Sequence, residues 1–72
     1  MNAVEALAGI AAGKVLYIAT ALRITRIDQR TVLRWRKAGF EVLKDGADGH
    51  LLLGSGRKYV DTHWARVEFK DA

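Results

Sequence analysis

The sequence predicts a small single-domain α+β fold of two helices plus a small antiparallel sheet, and three observations carry that prediction. Residues 2–12 and 29–38 have the composition and flanking caps of helices. After Gly39 the chain changes to short segments of strand-forming residues divided by Asp and Gly. The 72 residues, half of them apolar and 28% charged, suit one folded domain over residues 1–72 and neither a disordered tail nor several domains. A chain this short buries only ~60% of the surface its unfolded form exposes. It is expected to be marginally stable alone, and a homodimer is one way to bury more.

Residues 2–12, NAVEALAGIAA, read as the first helix. Asn2 is its expected cap, and Val4, Leu7, Ala8 and Ala11 keep the three-four spacing of one apolar face. Gly9 weakens the run by about 1 kcal/mol relative to Ala. Gly13 suits the position just past the helix end.

Residues 14–27, KVLYIATALRITRI, admit two readings. As a helix, Val15, Ile18, Ala19 and Leu22 fall on one stripe. As strands, LYIAT and LRITRI are rich in β-branched and aromatic residues, and Leu22 and Ile24 alternate with Arg23 and Thr25. Periodicity does not separate the two over so short an apolar run. Each reading leads to a different arrangement of the domain.

Residues 29–38, QRTVLRWRKA, are the clearest helix. Asp28 is a good cap whose carboxylate accepts orphan amide protons and opposes the positive helix end. Val32, Leu33, Trp35 and Ala38 supply an apolar side. Arg36 and Lys37 sit in the last turn, where the dipole favours cations, and Gly39 provides a left-handed stop. Beyond it FEVLK (40–44) reads as a strand, DGADG (45–49) as a turn, and HLLLG and RKYV as strands divided by Gly54-Ser55-Gly56. The tail THWARVEF (62–69) is expected as a strand with Ala65, Val67 and Phe69 inward, the alternative being a short helix capped by Asp61.

Several classes are excluded at this stage. Without cysteine there is neither a disulfide framework nor a thiolate metal site. The uncharged run from Val15 to Leu22 is eight residues, far short of the ~20 a membrane helix needs. No secretory signal is visible, so a cytoplasmic location without a membrane partner is expected. The chain is not expected to be an enzyme or to carry a cofactor. Ser55 has His50 and His63 as conceivable bases, yet it sits in a Gly-Ser-Gly turn and reads as a turn residue. His50 and His63 with Asp45, Asp48 or Asp61 lack any paired-ligand spacing for a metal. Gly54-Ser55-Gly56-Arg57-Lys58 lacks the spacing of a phosphate-cradling loop.

Charge is the positive signal. Twelve Lys and Arg against eight Asp and Glu give +4, and the sequence pI is near 9.9. That balance favours an anionic partner. Arg23, Arg26, Arg30, Arg34, Arg36 and Lys37 supply six of the twelve cations within fifteen positions, with Asp28 the one acid among them. Arg30, Arg34 and Lys37 lie at i, i+4 and i+7, one stripe of the second helix away from Val32 and Trp35. Such a stripe points guanidinium groups at phosphates or at guanine edges. Arg26 adds a contact at the start of that helix, and Arg57 with Lys58 adds one at a hairpin tip. The bland alternative is a solvated basic helix face.

The run Arg30-Thr31-Val32-Leu33-Arg34-Trp35-Arg36-Lys37-Ala38-Gly39-Phe40, with Gly56-Arg57-Lys58-Tyr59-Val60 after a Gly-rich hairpin, resembles the recognition helix and wing of excisionase-type and mercury-regulator-type winged helix-turn-helix domains. The resemblance covers about thirty residues. It implies double-stranded DNA or another nucleic acid as partner, Arg30, Arg34 and Lys37 facing the DNA, Arg57 and Lys58 as wing contacts, and Val32 and Trp35 in the core.

The strand reading of 14–27 gives instead two helices packed on one antiparallel sheet. In size and composition it is similar to small phage and mobile-element inhibitors, anti-CRISPR proteins among them, which block a host protein or ribonucleoprotein by surface contact. The Arg stripe with Trp35 or Trp64 is then a hot spot for that partner. The bland alternative places both tryptophans in the core.

Overall fold

The structure, a computed structural model, describes residues 1–55, 58–62 and 65–71. Helix α1 spans Ala3–Ala11. Its N-terminus has two acceptors: Asn2 Oδ1 takes the Glu5 N–H at 2.8 Å, and Asp45 Oδ1 takes the Ala3 N–H at 2.8 Å. The second bond ties the helix to a residue 42 positions away. The helix closes at Ala12, and Gly13 (φ 99°) bonds its N–H to the Ile10 carbonyl. The buried face is Ala3, Ala6 and Ile10, with Leu7 half-buried beside it; Val4 is 74% exposed, and Ala8 and Ala11 also face solvent. The apolar face is thus rotated from the one the spacing suggests.

Residues 14–27 form a hairpin, so the helix option is not taken. Strand β1 (Lys14–Ala19) pairs antiparallel with β2 (Ile24–Ile27), Leu16 opposite Ile27 and Ala19 opposite Ile24. The connecting residues contain no glycine, and Thr20 makes the turn. Its N–H donates to the Arg23 carbonyl, and its Oγ1 accepts from the Leu22 and Arg23 N–H groups.

Helix α2 spans Gln29–Lys37. Asp28 caps it as expected, Oδ1 accepting from the Thr31 N–H at 2.9 Å. At the far end Gly39 (φ 89°) donates to the Arg36 carbonyl and Phe40 to the Trp35 carbonyl, a Schellman closure. Then follow β3 (Leu43–Asp45), a short 3₁₀ turn (Ala47–Gly49), β4 (Leu51–Ser55), β5 (Lys58–Asp61) and β6 (Arg66–Asp71).

The fold is α+β, two helices with antiparallel strands, and the strands divide into two three-stranded sheets ordered β2-β1-β6 and β3-β4-β5. Of the tail expected as a strand over 62–69, the strand covers Arg66–Asp71; Val67 and Phe69 on it, and Ala65 just before it, pack against the core. One core joins both sheets and both helices: Ala6 and Ile10 from α1, Leu16 and Ile18 from β1, Val32 from α2, and Leu51 and Leu53 from β4 are among its members. No helix among the described residues is long and apolar enough to cross a membrane.

Candidate nucleic-acid interface

α2 lays one side on the core and leaves the other to solvent. Thr31 and Val32 are buried and Trp35 is half-buried against the core. Leu33 and Ala38, expected on the apolar side, are exposed, Leu33 by 63%. Arg30, Arg34 and Lys37 are all exposed on the opposite stripe. At 1.5 Å per residue the stripe is about 10 Å long. Among the described residues no carboxylate pairs with Arg30, Arg34, Arg36 or Lys37. Their charge is therefore available to an external anion. Arg66 and Lys70 differ, because Glu68 lies 2.9 Å and 3.9 Å from them.

Arg26, on β2, is exposed and joins Arg30 around a shallow concavity at the start of α2. Gly13, Lys14, Val15, Asp28 and Gln29 complete that concavity. Lys14 was not among the expected contacts, because the hairpin that brings it to the start of α2 is not explicit in the sequence. The Asp28 carboxyl is held below the usual carboxylate range, first by the Thr31 N–H, then by the Thr31 hydroxyl and the Arg26 charge. It stays ionised at neutral pH and partly offsets the cations around it.

A second groove runs between the helices, with Leu7, Ala8 and Ile10 of α1 facing Val32, Leu33 and Arg36 of α2. Gln29 Nε2 donates to the Ala11 carbonyl at 2.8 Å and so links the start of α2 to the end of α1. Arg36, which the sequence places only as a last-turn cation, lines this groove.

The other expected contacts are placed in part. Lys58 pairs with Ser55 in the β4–β5 hairpin, but its side chain and the whole of Arg57 lie outside the described residues, as do His63 and Trp64. His50 is half-buried at the end of the 3₁₀ turn. Among the described residues no three His, Asp or Glu side chains gather to hold a metal ion. No protein-family model, curated protein or solved structure matches the chain.

Proposed function

We propose that this chain is a small non-enzymatic nucleic-acid-binding protein that holds the phosphate backbone with the outer stripe of α2. One observation carries the reading: Arg30, Arg34 and Lys37 are exposed in a row, free of carboxylate partners among the described residues, and Arg26 extends the row onto the adjoining sheet. Guanidinium groups so placed offer planar, bidentate donors to phosphate oxygens or to the guanine edge. The resemblance of residues 30–60 to winged-helix readers supports the same surface. Double-stranded DNA or another nucleic acid is the partner, with Arg57 and Lys58 as further phosphate contacts from the β4–β5 hairpin.

The test is fluorescence anisotropy of labelled duplex and single-stranded oligonucleotides at low and moderate salt, with R30A/R34A beside the unaltered chain. Micromolar or tighter binding is expected, weakening with salt as counterions are released and lost in the double variant. Absence of binding to either oligonucleotide at about 50 mM salt overturns the reading.

One observation favours a second reading, a phage-type inhibitor, anti-CRISPR-like, that blocks a host protein or ribonucleoprotein. Leu33 and Leu22 are 63% and 96% exposed close in sequence to these cations, and an apolar residue beside arginine suits a protein hot spot. Recovery of one host protein from nuclease-treated lysate supports it, provided R30A/R34A abolishes the capture.

A further inference from the structure

The pairing of the β2-β1-β6 sheet sorts its side chains onto two faces. Leu16, Ile18 and Ile27, with Val67 and Phe69, point to the core. The alternate positions therefore point outward: Tyr17 stands opposite Arg26 on β2 and Glu68 on β6, and Ala19 stands opposite Ile24 and Arg66. Along this outer face Val15, opposite Lys70, is buried, Tyr17 and Ala19 are half-buried, and Arg26 is exposed. Ile24 is 68% exposed, and the side chains of Arg66 and Lys70 are 76% and 56% exposed. Three cations, Arg26, Arg66 and Lys70, share it with the single carboxylate of Glu68. That carboxylate lies 2.9 Å from Arg66 and 3.9 Å from Lys70 and offsets one charge, so the face keeps two net positive charges.

We infer that this face is a platform for a single-stranded nucleic acid, with one base stacked on Tyr17 and the flanking phosphates drawn to Arg26, Arg66 and Lys70. The inference rests on the nucleic-acid reading above and names the form of nucleic acid that this surface takes. Tyr17 lies on the central strand, and the two outer strands are about 10 Å apart. Cations therefore flank the ring on both sides, where the backbone of a strand stacked on it would run. In the free chain the exposed side chain of Lys70 covers the ring, its Nζ 4.7 Å from the centroid. A base takes the place of that ammonium, and the Lys70 charge moves to the phosphate. A duplex keeps its bases stacked on one another, whereas a single strand can lay an unstacked base flat on an aromatic side chain. Arg26 also borders the concavity at the start of α2, so the platform is continuous with Arg30.

The test titrates a labelled single-stranded oligonucleotide and a duplex of equal length with the full chain, Y17F, Y17L and R30A/R34A. Tighter binding of the single strand is expected. Y17F should keep that binding, and Y17L should lose it on the order of tenfold while duplex binding is unchanged. Equal binding by Y17L and Y17F, or a preference for duplex, overturns the platform. If R30A/R34A weakens binding while Y17L does not, the platform alone is lost and the α2 reading stands. If neither nucleic acid binds the unaltered chain, the functional reading itself fails. Should Y17L not fold, backbone amide shifts of the unaltered chain on adding the single strand decide. Movement at Tyr17, Ala19 and Arg26 supports the platform, and movement confined to residues 30–37 overturns it.

Discussion

The ring of Phe69 lies against Gly9 so closely that a Cβ on residue 9 would stand 2.5 Å from Cζ and 2.8 Å from Cε1. Phe69 pairs with Leu16 on β1 and points to the core, so the contact sets how near α1 approaches the β2-β1-β6 sheet. Glycine mid-helix is explained by this contact, since propensity alone favours alanine there by about 1 kcal/mol.

Gly9→Ala is therefore expected to destabilise the protein. The methyl group either displaces a ring wedged between helix and sheet or pushes α1 outward, and overpacking of that kind costs roughly 1–3 kcal/mol. Urea denaturation measures it. Pairing the change with Phe69→Leu should be less costly than the sum of the two single changes, because they share one contact. A neutral or stabilised Gly9→Ala protein would show that the ring turns aside freely.

Local chemistry made some elements legible and left others hidden. The limits of α2 follow from Asp28 and Gly39, whose side-chain acceptor and left-handed backbone do what those residue types do elsewhere. The face of α1 was not legible. An alanine-rich helix has little amphipathic contrast, and the side that packs is that of Ala3, Ala6 and the one large residue Ile10, leaving Val4 outside. The β1–β2 hairpin lacks the Asn-Gly or Gly-X signal of a tight turn, because the Thr20 hydroxyl supplies the bonds. Of the site, the α2 stripe is a matter of helical spacing and could be read directly. The neighbours of Tyr17 could not, since Arg66 and Lys70 arrive on β6 from some fifty residues away.

Thr20→Val keeps the shape of the side chain and removes its hydroxyl. The Leu22 and Arg23 amides then lose their side-chain acceptor, and the hydroxyl's own bond to the Arg23 carbonyl at 3.1 Å goes too. The turn is exposed and water replaces part of the loss, so a cost of about 1 kcal/mol is expected. Faster hydrogen exchange at Leu22 and Arg23, with β1 amides next to β6 unaffected, would locate the effect in the turn. Unchanged exchange there would show that the backbone closes the turn unaided.

Asp45→Ala removes the tertiary acceptor of the Ala3 N–H. The expected cost is about 1 kcal/mol, similar to loss of a helix cap, with earlier fraying of the first turn of α1. Asp45→Asn keeps an acceptor oxygen and should recover most of it. If both substitutions are silent in thermal denaturation, Asn2 alone holds that end of the helix.

Removal of Arg30 and Arg34 should alter binding without altering the fold. Both are exposed and unpaired with carboxylates among the described residues, so the double alanine variant is expected within about 0.5 kcal/mol of the parent in stability. If each contacts a phosphate, the slope of log K against log salt should flatten by about 2. An unchanged slope with weaker binding would instead mark base-edge contacts. Loss of the fold would make the two arginines structural.

Asp28 couples stability to pH and to the site. Its carboxyl titrates below the ordinary range in the folded chain because the Thr31 N–H, then the Thr31 hydroxyl, bond the charged form. In the unfolded chain it titrates near the ordinary value of about 3.9. As pH falls through that value the unfolded chain takes up the proton first. The contribution of Asp28 is therefore complete above the ordinary value and is lost as pH falls through the lower, folded one. Asp28→Asn keeps a capping oxygen and does not titrate, so the stability gap between parent and variant should narrow on acidification from about pH 5 to pH 2. Glu68 is lowered as well, chiefly by its bond from Arg66, so an acid limb remains in the variant. A gap independent of pH would mean that Thr31 does not favour the charged form. Asp28 is also the one acid in residues 23–37 and borders the concavity with Arg26 and Arg30. Removing its charge should tighten nucleic-acid binding at neutral pH, an outcome that a purely structural cap would not produce.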